Sequence, residues 1–179
     1  MLLTDIVFKE GNTLLNKDLN TLLNDNFGNE FHLTKDFSDP NYFSIQAYYQ
    51  NNLIGFCSGK ININKTENEN LEEGNFIKNG LIDLICVKKQ FRKLGIGSIL
   101  FKKIENKLFI LGSEQIILFH WVQKSAPYPT IAIKNGFKFQ QTIPNYWEKE
   151  SIKQNYSCIK CGTPPCKCSC AVYVKNLRS

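Results

Sequence analysis

Apolar positions change period along this chain, and the changes mark a succession of short strands and amphipathic helices. Residues 3–8 carry an apolar strand pattern. Leu14, Leu15, Leu19, Leu22 and Leu23 then fall on one helical face, with Asn12 placed as N-cap and an end near Gly28. After a polar stretch broken at Asp39-Pro40, residues 42–50 read as a strand, Asn51-Asn52 as a turn and residues 53–63 as the returning strand of a hairpin. Residues 64–79 are polar and rich in Asn, Glu and Lys, which predicts a surface loop. The run from Leu81 to Val87 is almost continuously apolar, as a strand buried on both faces should be. From Gly95 the period changes to that of a helix: Ile96, Leu100, Ile104 and Leu108 step by four, Lys102, Lys103, Glu105, Asn106 and Lys107 take the wet side, and Gly112 closes it. Residues 115–122 form the next buried strand and residues 125–135 a short helix with Pro127 and Pro129 in its first turn. Residues 136–139 restart an extended segment, and residues 171–174 supply a final strand. The order predicts a mixed α/β sheet.

Composition narrows the class. The chain has 179 residues, 42% of them apolar and 21% charged, which excludes a disordered chain and suits one domain. No apolar run approaches the ~20 residues of a membrane span, so no membrane partner is expected. Nor do the first ten residues show a basic segment followed by a long apolar one. With no leader read there, the seven cysteines predict a reducing, cytoplasmic setting. The net charge of +6 admits an anionic ligand. Nucleic acid is not expected, because the basic residues Lys153, Lys160, Lys167, Lys175 and Arg178 are interleaved with only Tyr156 and Tyr173.

The segment carrying the clearest chemistry lies between the buried strand and the long helix. Arg92, Gly95 and Gly97 form Arg-x-x-Gly-x-Gly, with Lys88, Lys89 and Lys93 beside them. Unpaired amides and the positive dipole end of a helix make a phosphate site there, and glycines let a bulky anion reach the backbone. A dinucleotide fingerprint would need a third glycine where Leu100 stands, and a P-loop would need Ser or Thr after Gly59-Lys60, where Ile61 stands.

What remains resembles the acyl-CoA pyrophosphate loop of the GNAT superfamily of N-acetyltransferases. The strand at 115–122, the helix at 125–135 and the Gly136-Phe137 pair match the layout downstream of that loop. The resemblance implies a mixed, mostly antiparallel sheet flanked by helices, with the strands at 81–87 and 115–122 splayed for acetyl-CoA. It implies that backbone groups of Cys86 and Val87 pair with pantetheine, and that Arg92, Lys93, Leu94, Gly95, Ile96, Gly97 and Ser98 hold the pyrophosphate. The reaction implied is direct attack of a neutral amine, on a small molecule or a peptide, upon the thioester. A homodimer is compatible with it. The chain departs from the family where many members carry a thiolate-protonating Tyr, here Ala132, and an Asn, here Ser125, which is kept as a cofactor contact. Tyr128, one helical turn before Ala132, is the substitute acid or an interfacial aromatic; Asp83, His120 and Glu73 are the bases to weigh.

Five of the seven cysteines crowd into residues 158–170. Cys158, Cys161, Cys166 and Cys168 have the spacing of a four-thiolate zinc site, with Gly162 allowing the turn beneath the sulfurs and Cys170 left over. Free thiols, disulfides and redox exchange are the alternatives. Cys57 and Cys86 fall in strands as small buried hydrophobes. Residues 145–170 thus read as a cysteine-rich insertion before the last strand of a single domain spanning 1–179. The competing functional reading is a CoA-binding scaffold, inactive as an enzyme, whose basic cysteine-rich segment contacts another macromolecule.

Overall fold

Alternation of apolar side chains between two helix layers organises the sheet. The computed structural model describes residues 3–11, 17–28, 31, 39–65, 76–123 and 129–177. Its elements are β1 (Ile6–Gly11), α1 (Lys17–Phe27), β2 (Tyr42–Tyr49), β3 (Asn52–Lys65), β4 (Phe76–Val87), α2 (Ile96–Ile110), β5 (Gln115–Trp121), α3 (Thr130–Lys134), β6 (Lys138–Ile143), α4 (Glu148–Gln154) and β7 (Cys170–Asn176). They build a seven-stranded sheet in the order β1-β2-β3-β4-β5-β7-β6, antiparallel except for β4 and β5. The expected mixed, mostly antiparallel sheet flanked by helices is the fold observed.

Helix α2 covers one face: Ile96, Leu100, Phe101, Ile104 and Leu108 pack with Ile45, Ile54, Ile82 and Ile116 in one buried cluster. Helix α1 covers the other, where Leu19, Leu22 and Leu23 meet Leu53, Phe56 and Cys86. Each large side chain so buried contributes roughly 1.5–3 kcal/mol, which fixes both helices more firmly than their propensities do.

Several boundaries differ from the sequence pattern for physical reasons. Residues 3–5 form a 3₁₀ turn, and β1 runs on through Lys9 and Glu10 because an edge strand tolerates polar side chains. The hairpin turn is Gln50-Asn51, both at positive φ, one residue earlier than the Asn51-Asn52 expected. Strand β4 starts at Phe76, inside the segment expected to be a loop; backbone pairing with β3 carries it through the polar Lys78 and Asn79. Helix α3 begins only at Thr130, after Pro129. Helix α4 was not predicted at all: of Glu148–Gln154 only Ser151 is buried, so no apolar stripe announces it. Asn12, Leu14 and Leu15 lie outside the described residues. No described helix is long and apolar enough to cross a membrane.

The feature that shapes the site is a bulge in β4. Ser58 pairs with Leu84 and the next residue, Gly59, with Ile82, so Asp83 is surplus in the ladder. Such a bulge bends its strand and increases local twist. Parallel pairing of β4 with β5 runs from Asn79↔Gln115 to Ile82↔Leu118 and ends at that residue. Strand β5 meanwhile stays paired with β7 as far as Trp121↔Cys170. The two strands therefore part, and a cleft opens between Asp83–Val87 and Phe119–Trp121.

Candidate active site

The cleft widens into a cavity of about 570 Å³. Its lining includes Phe101 of α2, Ile131 and Ala132 of α3, and the rings of Phe31, Trp147 and Tyr156. Asp83 and His120 face the space between them.

The glycine loop lies at the start of α2. Gly95 caps α2 in the left-handed region at φ 83°, a conformation that disfavours any side chain. The first helical bond runs from the Ile99 N–H to the Gly95 carbonyl, so Ile96, Gly97 and Ser98 contribute the unpaired first-turn amides. A Cβ added at Gly97 would lie 3.5 Å from Ile131 Cδ1 and 3.9 Å from Val87 Cγ2, ordinary contacts. The protein itself thus does not need glycine at position 97.

The Arg92 guanidinium is tied down on two sides. Its Nε–H donates to the Val87 carbonyl (3.1 Å) and its Nη2 to Asn26 Oδ1 on α1 (2.8 Å), clasping the loop to the end of β4. Lys93 and Leu94 are exposed, and Lys93 adopts φ 62°. Burial pushes the Cys86 thiol up to about 12, and its side chain belongs to the α1 layer. Only its backbone, like that of Val87, is placed along the open edge of β4.

Asp83 is braced from behind. The Tyr42 hydroxyl donates to Asp83 Oδ2 (2.8 Å) and sits 2.9 Å from Ser58 Oγ. Burial, and then the Asp83 carboxylate, hold the Tyr42 phenol well above its ordinary value, so it stays a donor. His120 packs edge-on to Tyr173, with ring centroids 6.4 Å apart. Asp83 and His120 therefore share one cavity, whereas Tyr128, Ser125 and Glu73 lie outside the described residues. Sequence reasoning missed Tyr42, whose role depends on a strand two positions away in the sheet. It also missed the aromatic wall, although the density of Tyr146, Trp147 and Tyr156 was visible.

The four cysteines converge. The sulfurs of Cys158, Cys161, Cys166 and Cys168 all lie within 4.8 Å of one another, with separations of 3.8 Å (158–168), 3.9 Å (161–166) and 3.4 Å (161–168). A tetrahedral zinc ion with bonds of about 2.3 Å would set its sulfurs roughly 3.8 Å apart. Backbone N–H groups already point at two of them: Lys160 to Cys158 Sγ at 3.4 Å and Lys167 to Cys161 Sγ at 3.3 Å. All seven cysteines are free thiols. Burial pushes Cys168 up to about 11 and Cys166 higher still.

Residues 12–129 match the model of the acetyltransferase (GNAT) family. The chain belongs to the GNAT family. Its fold is shared by solved structures at low identity. Arabidopsis thaliana NAA60, solved with a bisubstrate analogue, aligns at a TM-score of 0.68 and 15% identity over 96% of this chain and 97% of that one. A Bacillus subtilis acetyltransferase in complex with CoA aligns at 0.62 and 19% identity, over 96% and 99%. A chain of the NatC complex bound to Gag peptide and CoA aligns at 0.63 and 14%, over 97% and 99%. No curated protein matches the sequence. Within this GNAT fold, Ala132 is buried at the α3 wall of the cavity, where it offers no hydroxyl. Residues 144–169, which hold the cysteines, form the connection that carries the chain from β6 to β7.

Proposed function

We propose that this chain is an N-acetyltransferase that moves an acetyl group from acetyl-CoA to a primary amine in a ternary complex. The observation that carries the reading is the parting of β4 and β5 at the Asp83 bulge, directly before the glycine-bearing start of α2. The amides of residues 93–98 would take the pyrophosphate, held in shape by the Arg92 clasp. The free edge of β4 at Cys86 and Val87 would pair with pantetheine and bring the thioester to the bulge.

There the amine lone pair attacks the thioester carbonyl, a C–N bond forms, and the C–S bond breaks. The proton lost from nitrogen passes to Asp83 directly or through water, with Tyr42 orienting the carboxylate and His120 as the neighbouring relay. The departing thiolate takes a proton from water or from Tyr128, since Ala132 has none to give. The four cysteines fit a structural zinc ion, which would cross-link a segment otherwise short of apolar contacts. Seven cysteines outside any disulfide suit a reducing, cytoplasmic setting.

Calorimetric titration with acetyl-CoA, followed by thiol release with a panel of amines, tests this. Saturable binding and turnover are expected; no heat at millimolar ligand refutes it. The missing hydroxyl at Ala132 favours a second reading, a CoA-binding scaffold, which CoA binding without turnover on any amine would support. Against it, Lys175 of the basic cluster is already ion-paired with Glu105.

A further inference from the structure

The cysteine site and the acceptor side of the cavity are the same piece of structure. Cys158 and Cys166 line the cavity that Asp83 and His120 face. The proposed function puts acyl-CoA against α2 and α3, which leaves the rest of the lining for the acceptor. The rest of the lining carries six rings beside Gln123, Glu150 and the two cysteines. Phe27, Phe31 and Tyr156 form one run, with centroids 5.0 and 5.5 Å apart, and Phe119, Tyr146 and Trp147 another, at 5.3 and 5.1 Å.

Three of those six rings, Tyr146, Trp147 and Tyr156, are mounted on the connection between β6 and β7. Residues 155–169 contain neither helix nor strand, and their attachments are few. The Cys166 N–H donates to the buried Ser151 Oγ of α4 at 2.8 Å. The Tyr146 N–H donates to the Cys168 carbonyl and the Val122 N–H to that of Ser169, both at 3.1 Å. Gly28, just after α1, lies so close to the Ser157 carbonyl that a Cβ would come within 2.0 Å of it. Tyr156 packs edge-on against Phe31, and four sulfurs within 4.8 Å become a further cross-link when a cation lies between them.

We infer that a metal ion held by Cys158, Cys161, Cys166 and Cys168 fixes the aromatic wall of the acceptor pocket, and that this wall selects a primary amine carried on an aryl or similarly large apolar group. The inference rests on the acetyl-CoA reading and deepens it. An apolar group seated among Phe31, Trp147 and Tyr156 leaves its amine directed toward Asp83 at the bulge. Burial of one aromatic ring corresponds to roughly ten- to a hundredfold in affinity over an amine without one.

The experiment compares metal-loaded protein, protein stripped by chelator under reducing conditions, and the Cys161→Ser variant, which alters the exposed ligand. Cobalt(II) serves as the spectroscopic probe: tetrahedral thiolate coordination gives intense near-ultraviolet charge transfer and red d–d bands. Both tryptophans of the chain, Trp121 and Trp147, line the cavity, so fluorescence reads the pocket directly. Phenylethylamine and ethylamine are titrated into the CoA complex of each form.

The loaded protein should bind one equivalent of cobalt in a tetrahedral thiolate site and hold phenylethylamine at least about tenfold more tightly than ethylamine. The stripped and Cys161→Ser forms should lose that preference and keep their affinity for CoA. Trp147→Ala should erase the preference with the cobalt spectrum unchanged. No tetrahedral cobalt site, no phenylethylamine binding, or an equal preference in loaded and stripped protein overturns the inference while the transferase reading stands. Absence of CoA binding in the loaded protein overturns both.

Discussion

Replacing Gly97 by alanine should make the fold more stable and the enzyme worse. Gly97 is the second residue of α2, and its added methyl group would meet Ile131 and Val87 at 3.5 and 3.9 Å, without clash. Removing a helical glycine restricts the unfolded chain and stabilises the native state by about 0.5–1 kcal/mol. In a domain of this size that raises Tm by roughly 1–4 °C. The same methyl group stands where a phosphate would approach the first-turn amides. Displacing the anion from one or two of those N–H donors costs about 1.5–3 kcal/mol each, since they are hydrogen bonds to a charged group. The dissociation constant for CoA should therefore rise at least about tenfold. Gly95→Ala supplies the contrast: at φ 83° the side chain is strained by about 1–2 kcal/mol, so stability falls along with affinity. Thermal melting and calorimetric titration of both variants check the pattern. A Gly97→Ala protein that binds CoA with the native affinity would refute placement of the pyrophosphate on these amides. A Tm several degrees lower would refute the packing argument.

Three further outcomes follow from the same geometry. Asp83→Asn keeps an acceptor for the Tyr42 hydroxyl but cannot take a proton, so kcat should drop about a hundredfold or more with CoA affinity unchanged; a kcat within about threefold of native excludes Asp83 as base. Arg92→Lys cannot span Val87 and Asn26 together, and CoA affinity should weaken about five- to tenfold. Asn26→Ala, which touches only the clasp, should reproduce part of that loss, and native affinity in both variants would show the clasp to be idle. Cys57, Cys86 and Cys170 are buried, and burial holds their thiols above the ordinary range, Cys86 up to about 12 and Cys170 up to about 11. They remain protonated, hence unreactive, at every pH below those values. Cys158 and Cys166 are buried as well, so Ellman titration of the native, metal-stripped protein should show Cys161 reacting first and at most the four cluster thiols in all; fast reaction of Cys57, Cys86 or Cys170 would contradict the burial.

Much of the fold was legible because burial imposes period. The four-residue steps of Ile96, Leu100, Ile104 and Leu108 located α2 to within a residue, and the apolar run before it located the core of β4. The loop between them was legible because Gly95 and Gly97 answer to backbone geometry rather than to packing. What the pattern could not give was pairing. Strand β4 extends back to Phe76 through hydrogen bonds that any side chain permits, and α4 hides because it buries only Ser151. The Arg92 clasp was not legible because its two acceptors, a carbonyl five residues back and an asparagine on α1, belong to the tertiary structure. Asp83 was noticed as a carboxylate inside an apolar run. That it is a surplus residue emerges only from the register with β3. The cysteines were legible as a group from spacing alone, but their place against the cavity was not, since it depends on how the chain returns from β6 to β7.

The surplus residue has an evolutionary corollary. Ile82 packs in the α2 layer, Leu84 in the α1 layer, Ile85 in the α2 layer, Cys86 in the α1 layer and Val87 in the α2 layer. Loss of a single codon, that for Asp83, would leave this alternation unbroken and every apolar side chain on its present face. The ladder with β5 would then be free to run on past Leu118, and the sheet would gain hydrogen bonds as the cavity closed. The shortest mutational step toward a better-formed sheet is thus also the step that removes the pocket. Apolar packing does not guard against that step; the Tyr42–Asp83 hydrogen bond and the use made of the open cleft are what the extra residue supplies.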